Sequence, residues 1–294
     1  MSPKTELDRL AVLLMIVLCV VWGVQQVTIK LAAVGITPIW QAGLRSLGAS
    51  VLVFAWSRWR GVRLFDADRT LWPGLLCGAL FSIEFAFIFM GLEYTTASRG
   101  VIFLYTAPFF VALGAKWLLP HEPMRRTQWL GMALAFAGVV ILFGENLLHG
   151  SGRAWLGDLL MLIGAMFWAA TTLTVKASAL ARASAEKMLL YQLGVSALAL
   201  PLLALVVGEA GLFAPTLSVF ASLAFQIVLV ASASYLTWFW LIRNYPATRL
   251  SSFSFLTPVL GVLAGGLLLG EALTPMVFIA LGLVGAGIWV ANRG

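Results

Sequence analysis

Residues 22–30 read WGVQQVTIK and residues 168–176 read WAATTLTVK. Laid over each other, the two stretches set Trp22 on Trp168 and Lys30 on Lys176. Further along, ASRGVIFLYTAP at 97–108 lies over ATRLSSFSFLTP at 247–258, with Arg99 on Arg249 and Pro108 on Pro258. The closing stretches correspond as well, Gly138 falling on Gly287. The offset between the copies changes from 146 to 150 between the first block and the second, a slippage of four residues that a loop can absorb. Self-similarity over this length marks a duplicated unit. It divides the chain at 1–150 and 151–294.

Each copy holds five apolar runs. A helix that crosses ~30 Å of hydrocarbon needs ~20 mostly apolar residues, and ten stretches meet that length: 10–31, 39–57, 71–92, 97–119, 127–145, 155–177, 186–207, 217–241, 248–270 and 274–291. Five is odd, so the second copy must enter the bilayer from the side opposite the first. The expected fold is an all-α membrane protein of ten transmembrane helices, built as two inverted five-helix repeats. Many secondary transporters place one site at the interface of such repeats. A channel or a purely structural duplication would share the pattern.

Composition agrees with that solvent. Of 294 residues, 61% are hydrophobic and 11% charged, against ~25% charged in soluble domains. The net charge of +7 does not point to nucleic acid, because the basic residues fall between apolar runs and form no stripe with exposed aromatics. Cys19 and Cys77 lie alone inside apolar runs, giving neither metal-ligand spacing nor a disulfide framework. His121 and His149 sit singly in polar connections. No cofactor motif is present. The first apolar run is too long for a signal-peptide core and is expected to remain as the first helix.

Basic residues in short loops orient a membrane chain. With the N-terminus inside, the cytoplasmic segments carry Lys4, Arg9, Arg58, Arg60, Arg63, Arg69, Arg125, Arg126, Arg182, Arg243 and Arg293, and the opposite side keeps Arg99 and Arg153. Both termini are therefore expected to be cytoplasmic.

Recognition of a small polar solute calls for a few polar groups among aromatic walls at mid-depth. Trp22, Gln25 and Gln26 offer this in helix 1, with interhelical hydrogen bonding as the other use of adjacent glutamines. Helix 3 offers Ser82, Glu84 and Phe85. An ionisable residue near the bilayer centre is a functional candidate by default; Glu84 could hold an ammonium group, carry a proton, or serve as a paired structural carboxyl. Arg45 in helix 2 is its natural partner. Tyr105 precedes Pro108 as Phe255 precedes Pro258, and prolines inside spanning helices permit a bend or a gate. Trp168, Thr171 and Thr172 are the counterparts of Trp22, Gln25 and Gln26. Tyr191, Trp238 and Ser252 complete the candidate lining. Lys30, near a helix end, is expected to snorkel.

Three blocks carry a family resemblance. WGVQQVTIK with QAGLRSLGAS is similar to the opening of the EamA-type repeat of the drug/metabolite transporter superfamily. GLEYTTASRGVIFLYTAPFFVALGAKWLL, then HEP and WLGMALAFAGVVILF, resembles its close, which YPATRLSSFSFLTPVLGVLAGGLLLGEALTP repeats. Within that family, FSIEF at 81–85 and LYTAP at 104–108 look similar to aromatic-amino-acid exporters of the YddG kind. The resemblance implies ten helices, cytoplasmic termini, a central cavity, and export of amino acids or related metabolites across the bacterial inner membrane. It also implies a structural or gating role for Arg45. That exporter pattern has a tryptophan where this chain has Ala107, which implies broader amino-acid selectivity.

The leading expectation is a secondary transporter working by alternating access on a small-molecule substrate, as a monomer or homodimer, with no enzymatic activity. A channel-like or facilitated-diffusion pathway, or a carrier for another metabolite or a drug, are the alternatives. No GxxxxGK[ST] phosphate loop or H-E-x-x-H metal motif occurs.

Overall fold

The protein, described here by a computed structural model, is helical throughout residues 6–66, 68–95, 102–120, 124–144, 152–269 and 275–293, apart from turns and one isolated bridge. Its helices are α1 Arg9–Ala33, α2 Pro38–Trp59, α3 Leu71–Tyr94, α4 Ile102–Leu118, α5 Arg126–Phe143, α6 Ala154–Ala177, α7 Ala185–Val207 and α8 Leu217–Asn244. Then come α9, which runs Ala247–Phe253 and resumes as Leu256–Leu269, and α10 Pro275–Asn292. Each apolar run ends within three residues of its helix, except that 97–101 lie outside the described residues.

Among the described residues, seven helices are long and apolar enough to cross a membrane, and α4 and α5 are shorter apolar helices. Such a chain is built for repeated passage through a bilayer. In α2, Gln41, Arg45, Ser46 and Ser57 are all buried, so its polar side chains face protein, as lipid requires.

The principal packing partners are α5 with α10, α3 with α6, α2 with α7, and α1 with α9. Next come α3 with α7, α4 with α6, and α8 with both α1 and α2. Exchanging each helix for its aligned counterpart returns the same set. The pair α3·α6 becomes α8·α1, α1·α9 becomes α6·α4, and α3·α7 becomes α8·α2. Individual contacts follow suit. A Cβ built on Gly287 would stand 2.5 Å from the Gly131 carbonyl oxygen, while one on Gly138 would stand 3.0 Å from that of Ala280. Those two contacts exchange when Gly138 is laid on Gly287.

Backbone-to-backbone approach of this kind leaves no flexible side chain to yield. Gly287→Leu is therefore expected to destabilise the α5–α10 pair by ~1–3 kcal/mol, the usual scale of overpacking. The readout is a lower midpoint of thermal unfolding in detergent. Gly282→Leu, on the same helix with nothing within 4 Å of its Cβ position, should leave the midpoint in place.

The four-residue slippage is taken up in an unexpected place. The α7–α8 connection is no longer than the α2–α3 one; instead α8 runs 28 residues where α3 runs 24. Nine of those, Gln226–Ser234, are wound as a π-helix, and Ser232 Oγ donates to the carbonyl five residues back, Ile227, at 2.7 Å.

Polar contacts tie each end of the bundle. At the end bearing the start of α1, Lys187 Nζ reaches both Asp68 carboxylate oxygens at 2.9 Å and the Asp66 carbonyl at 3.2 Å. Tyr245 Oη donates to Asp8 at 2.9 Å, and Lys176 Nζ to the Tyr245 carbonyl at 2.7 Å. At the opposite end the Glu209 carboxylate accepts from the amides of Ile39 and Trp40 at 3.1 and 3.0 Å, at the open N-terminus of α2. Thr95 Oγ1 donates to Asp158 at 2.7 Å. The two ends correspond element by element. Asp68 precedes α3 and meets the start of α7, while Glu209 precedes α8 and meets the start of α2. Tyr245 closes α8 against the start of α1, and Thr95, its aligned residue, closes α3 against the start of α6.

Candidate functional site

The helices that alternate between the copies leave a cavity of about 160 Å³ at their centre. Its walls come from α1 (Trp22, Gln25, Ile29), α3 (Phe81, Glu84, Phe85, Ile88, Phe89) and α4 (Leu104, Tyr105). The rest come from α6 (Met161, Trp168, Thr171, Thr172), α7 (Gln192) and α8 (Tyr235, Trp238, Phe239). In the register that lays Thr95 on Tyr245, Phe85, Ile88 and Phe89 fall on Tyr235, Trp238 and Phe239. Trp22 and Gln25 likewise fall on Trp168 and Thr171. The same helix faces from both copies therefore surround the space.

The aromatic walls are fixed against one another. Trp22 stands edge-on to Trp238 with ring centroids 5.6 Å apart, and its Nε1 donates to Ser234 Oγ at 2.9 Å. Tyr105 stands edge-on to Trp168 at 5.8 Å, the arrangement aromatic quadrupoles favour. Phe81 packs on Phe85 at 4.7 Å and on Tyr235 at 6.2 Å. Locally, α4 lets Tyr105 turn inward because the helix is interrupted just before Pro108. Thr106 Oγ1 adds a second hydrogen bond to the Phe103 carbonyl, which already accepts from the Thr106 amide, and Ser254 Oγ does the same at Ser251 before Pro258. Hydroxyls that share in satisfying backbone at such breaks suit a bilayer.

Nine of the sequence-predicted residues meet at this cavity: Trp22, Gln25, Glu84, Phe85, Tyr105, Trp168, Thr171, Thr172 and Trp238. The side chains of Gln26 and Lys30, and all of Arg99, lie outside the described residues. Four others are placed elsewhere. Ser82 Oγ turns back to the Gly78 carbonyl at 2.8 Å. Tyr191 Oη is 3.1 Å from Thr70 Oγ1, beside the Asp68–Lys187 pair. Ser252 Oγ donates to the Arg249 carbonyl at 2.8 Å, and Phe255 packs on Phe109 and Phe136. Sequence reading passed over Gln192, Tyr235, Phe81 and Phe89. The aligned face supplied the missing signal: Tyr235 falls on Phe85, and Gln192 falls on Ser46 when LYQLGVS at 190–196 is laid on LRSLGAS at 44–50.

Glu84 is the one charged side chain on the described walls, 7% exposed. Arg45 does not pair with it as the sequence suggested. Its guanidinium lies over the Phe85 ring, 4.2 Å from the centroid, and its Nε, Nη1 and Nη2 are all buried without a hydrogen-bond partner. The ring face offers the guanidinium a competing attraction, and none of its nitrogens bonds to the carboxylate.

The profile of the EamA-like transporter family matches the chain twice, over residues 9–144 and 155–293. The chain belongs to that family. The transporter is 27% identical to an uncharacterized transporter of Archaeoglobus fulgidus, over 96% of this chain and 94% of that one. It is 26% identical to the uncharacterized inner membrane transporter YedA of Escherichia coli, over 94% and 89%. A probable amino-acid metabolite efflux pump of Salmonella typhimurium is 29% identical over 94% and 93%. A crystal structure 21% identical in sequence shares the fold, with a TM-score of 0.81 over 96% of this transporter and 97% of that chain.

Proposed function

We propose that this transporter carries neutral amino acids and related metabolites outward across the inner membrane by alternating access. In this reading ten helices cross the bilayer as two inverted five-helix halves, residues 1–150 and 151–294, with both termini cytoplasmic. The observation that carries it is one carboxylate, Glu84, the one charged group among the described walls of an aromatic cavity lined by both halves. An anionic group among π-faces suits an ammonium bearing an apolar side chain. About 160 Å³ fits a small metabolite, whereas drug pockets run ~300–1,000 Å³. The amino-acid assignment is also in keeping with the name of the Salmonella relative. The contacts at the two ends are then the inner and outer closures, and opening either exposes the same cavity.

Counterflow into proteoliposomes loaded with unlabelled amino acids tests this directly. Saturable, competed uptake is expected. Tyr105→Ala or Trp168→Ala, which each remove half of the edge-on pair, should raise the half-saturation concentration about tenfold, since an aromatic truncation removes ~1–3 kcal/mol of contact. Flux that does not saturate would instead mark a channel.

A further inference from the structure

Arg45 is among the largest fully buried side chains, 1% exposed, on the face of α2 that packs against α7 and α8. A buried guanidinium is normally satisfied by a carboxylate or by carbonyls, because an unpaired one is strongly destabilising. Here all three nitrogens lack a hydrogen-bond partner. Its neighbours do not resolve this. One turn away on α2, the Gln41 amide nitrogen donates to Gln226 at 3.1 Å, and Gln226 in turn donates to the Thr28 carbonyl at 3.3 Å. Their donors are spent on each other and on backbone, and the Gln41 Oε1 acceptor, also without a partner, forms no bond to the arginine. Ser46 Oγ beside it is also without a partner. On the other side, Arg45 rests on Phe85, whose ring lines the cavity. Glu84, the next residue, lies within electrostatic reach of the guanidinium yet forms no bond to it.

We infer that Arg45 is the anion subsite of the transporter, receiving the carboxylate of a zwitterionic substrate whose ammonium is held by Glu84. This rests on the proposed transport reading and names the substrate class more narrowly: α-amino acids with both charges free. Two opposite charges on α2 and α3, within electrostatic reach but unbonded, form a split pair, with the Phe85 ring against the arginine. A zwitterion that displaces Phe85 completes both halves at once. The planar fork of arginine suits a carboxylate bidentately, which lysine cannot reproduce. A molecule with only one charge leaves the other unmatched, and buried groups left unpaired are the strongest source of rejection a site can have. The arrangement therefore selects against amines and against simple carboxylates alike.

Two measurements on Arg45→Met and Arg45→Lys decide the matter. The first is counterflow of a neutral amino acid beside the amine that remains when its carboxylate is removed. Arg45→Met is expected to raise the half-saturation concentration of the amino acid at least 100-fold and to lower that of the amine, which no longer leaves a guanidinium unmatched. Arg45→Lys should fall between. Equal shifts for both compounds would overturn the assignment and make Arg45 a structural or gating residue. The second is thermal unfolding of the purified protein without substrate. An unpartnered guanidinium costs stability that a methionine does not, so Arg45→Met should unfold at the same or a higher temperature. A lower midpoint would show that Arg45 holds the fold, which again overturns the assignment. If the unaltered protein moves neither compound while Arg45→Met is as stable as predicted, the transport reading fails and the arginine remains a ligand-directed group. The two failures are thus separable.

Discussion

Glu84→Gln is expected to raise the half-saturation concentration for an ammonium-bearing substrate about 100-fold. Glu84 is the only charged group on the described cavity walls, and it is 7% exposed, so no nearby acid can replace it. Breaking one side of a buried charge pair costs ~3–5 kcal/mol, and each 1.36 kcal/mol is a factor of ten. Two orders of magnitude is the lower end of that range. Glutamine keeps the shape and a carbonyl acceptor, which separates the charge from the packing. An N-acetylated amino acid has no ammonium to lose, so its weaker competition should be the same in the variant and the parent. If both compounds lose affinity alike, Glu84 is a structural carboxyl and the proposed orientation of the substrate is wrong.

The closures at the two ends should respond to mutation in opposite senses. Asp68→Asn removes the ion pair that joins the α2–α3 connection to α7. Glu209→Gln removes the carboxylate from the N-terminus of α2. The loss at Glu209 is about 1 kcal/mol, the ordinary worth of a helix-terminal cap and its interaction with the dipole, or about a fivefold change in the opening equilibrium. A cysteine at position 172, on the cavity wall, reports this by its rate of labelling with an impermeant thiol reagent. Asp68→Asn should speed labelling from the face bearing Asp8, and Glu209→Gln from the other. The double variant should return towards the parent, because weakening both closures shifts neither conformation against the other. If both single variants accelerate labelling from the same face, the matched closures are not gates. Cys19 and Cys77 are buried and contribute little background.

Acid does not work the Asp68 closure. Hydrogen bonds from Thr70 and from Lys187 hold its carboxyl at about 2, below its ordinary 3.8. A lowered value means that the closure is at full strength above 3.8 and is lost only as pH falls towards 2. The ratio of labelling rates between Asp68→Asn and the parent from that face, in which the thiolate fraction of the reporter cancels, is therefore expected to be flat between pH 5 and 8. A pH dependence of transport in that range would originate elsewhere.

The order of helices was legible because lipid imposes a length, and apolar runs of that length leave few alternatives. The internal alignment was legible at its loudest residues, Trp22 on Trp168 and Pro108 on Pro258. Between α2 and α7 it is faint, because Arg45 falls on Tyr191 and Ser46 on Gln192, unlike residues that give Gln192 no mark of its own. Ser82 stood at the right depth and in a suggestive motif. A serine in a helix can turn back to the carbonyl four residues earlier, however, and nothing in the sequence says which it will do. The relation of Arg45 to Glu84 was the largest departure. Opposite charges at similar depth suggest a pair, but whether the guanidinium meets the carboxylate or the Phe85 ring depends on how α2 and α3 are rotated, and that is set by tertiary packing.

The two arms of the cavity wall differ in length and yet aim alike. Each residue turns an α-helix by about 100°, so a difference of one or two residues would swing a face away, whereas four come to about one full turn. Beyond the π-wound Gln226–Ser234, Tyr235, Trp238 and Phe239 face the same cavity as their aligned residues Phe85, Ile88 and Phe89. The copies thus differ in chain length while their aromatic faces share one bearing. Divergence after duplication was free to lengthen one arm of the molecule without re-aiming it.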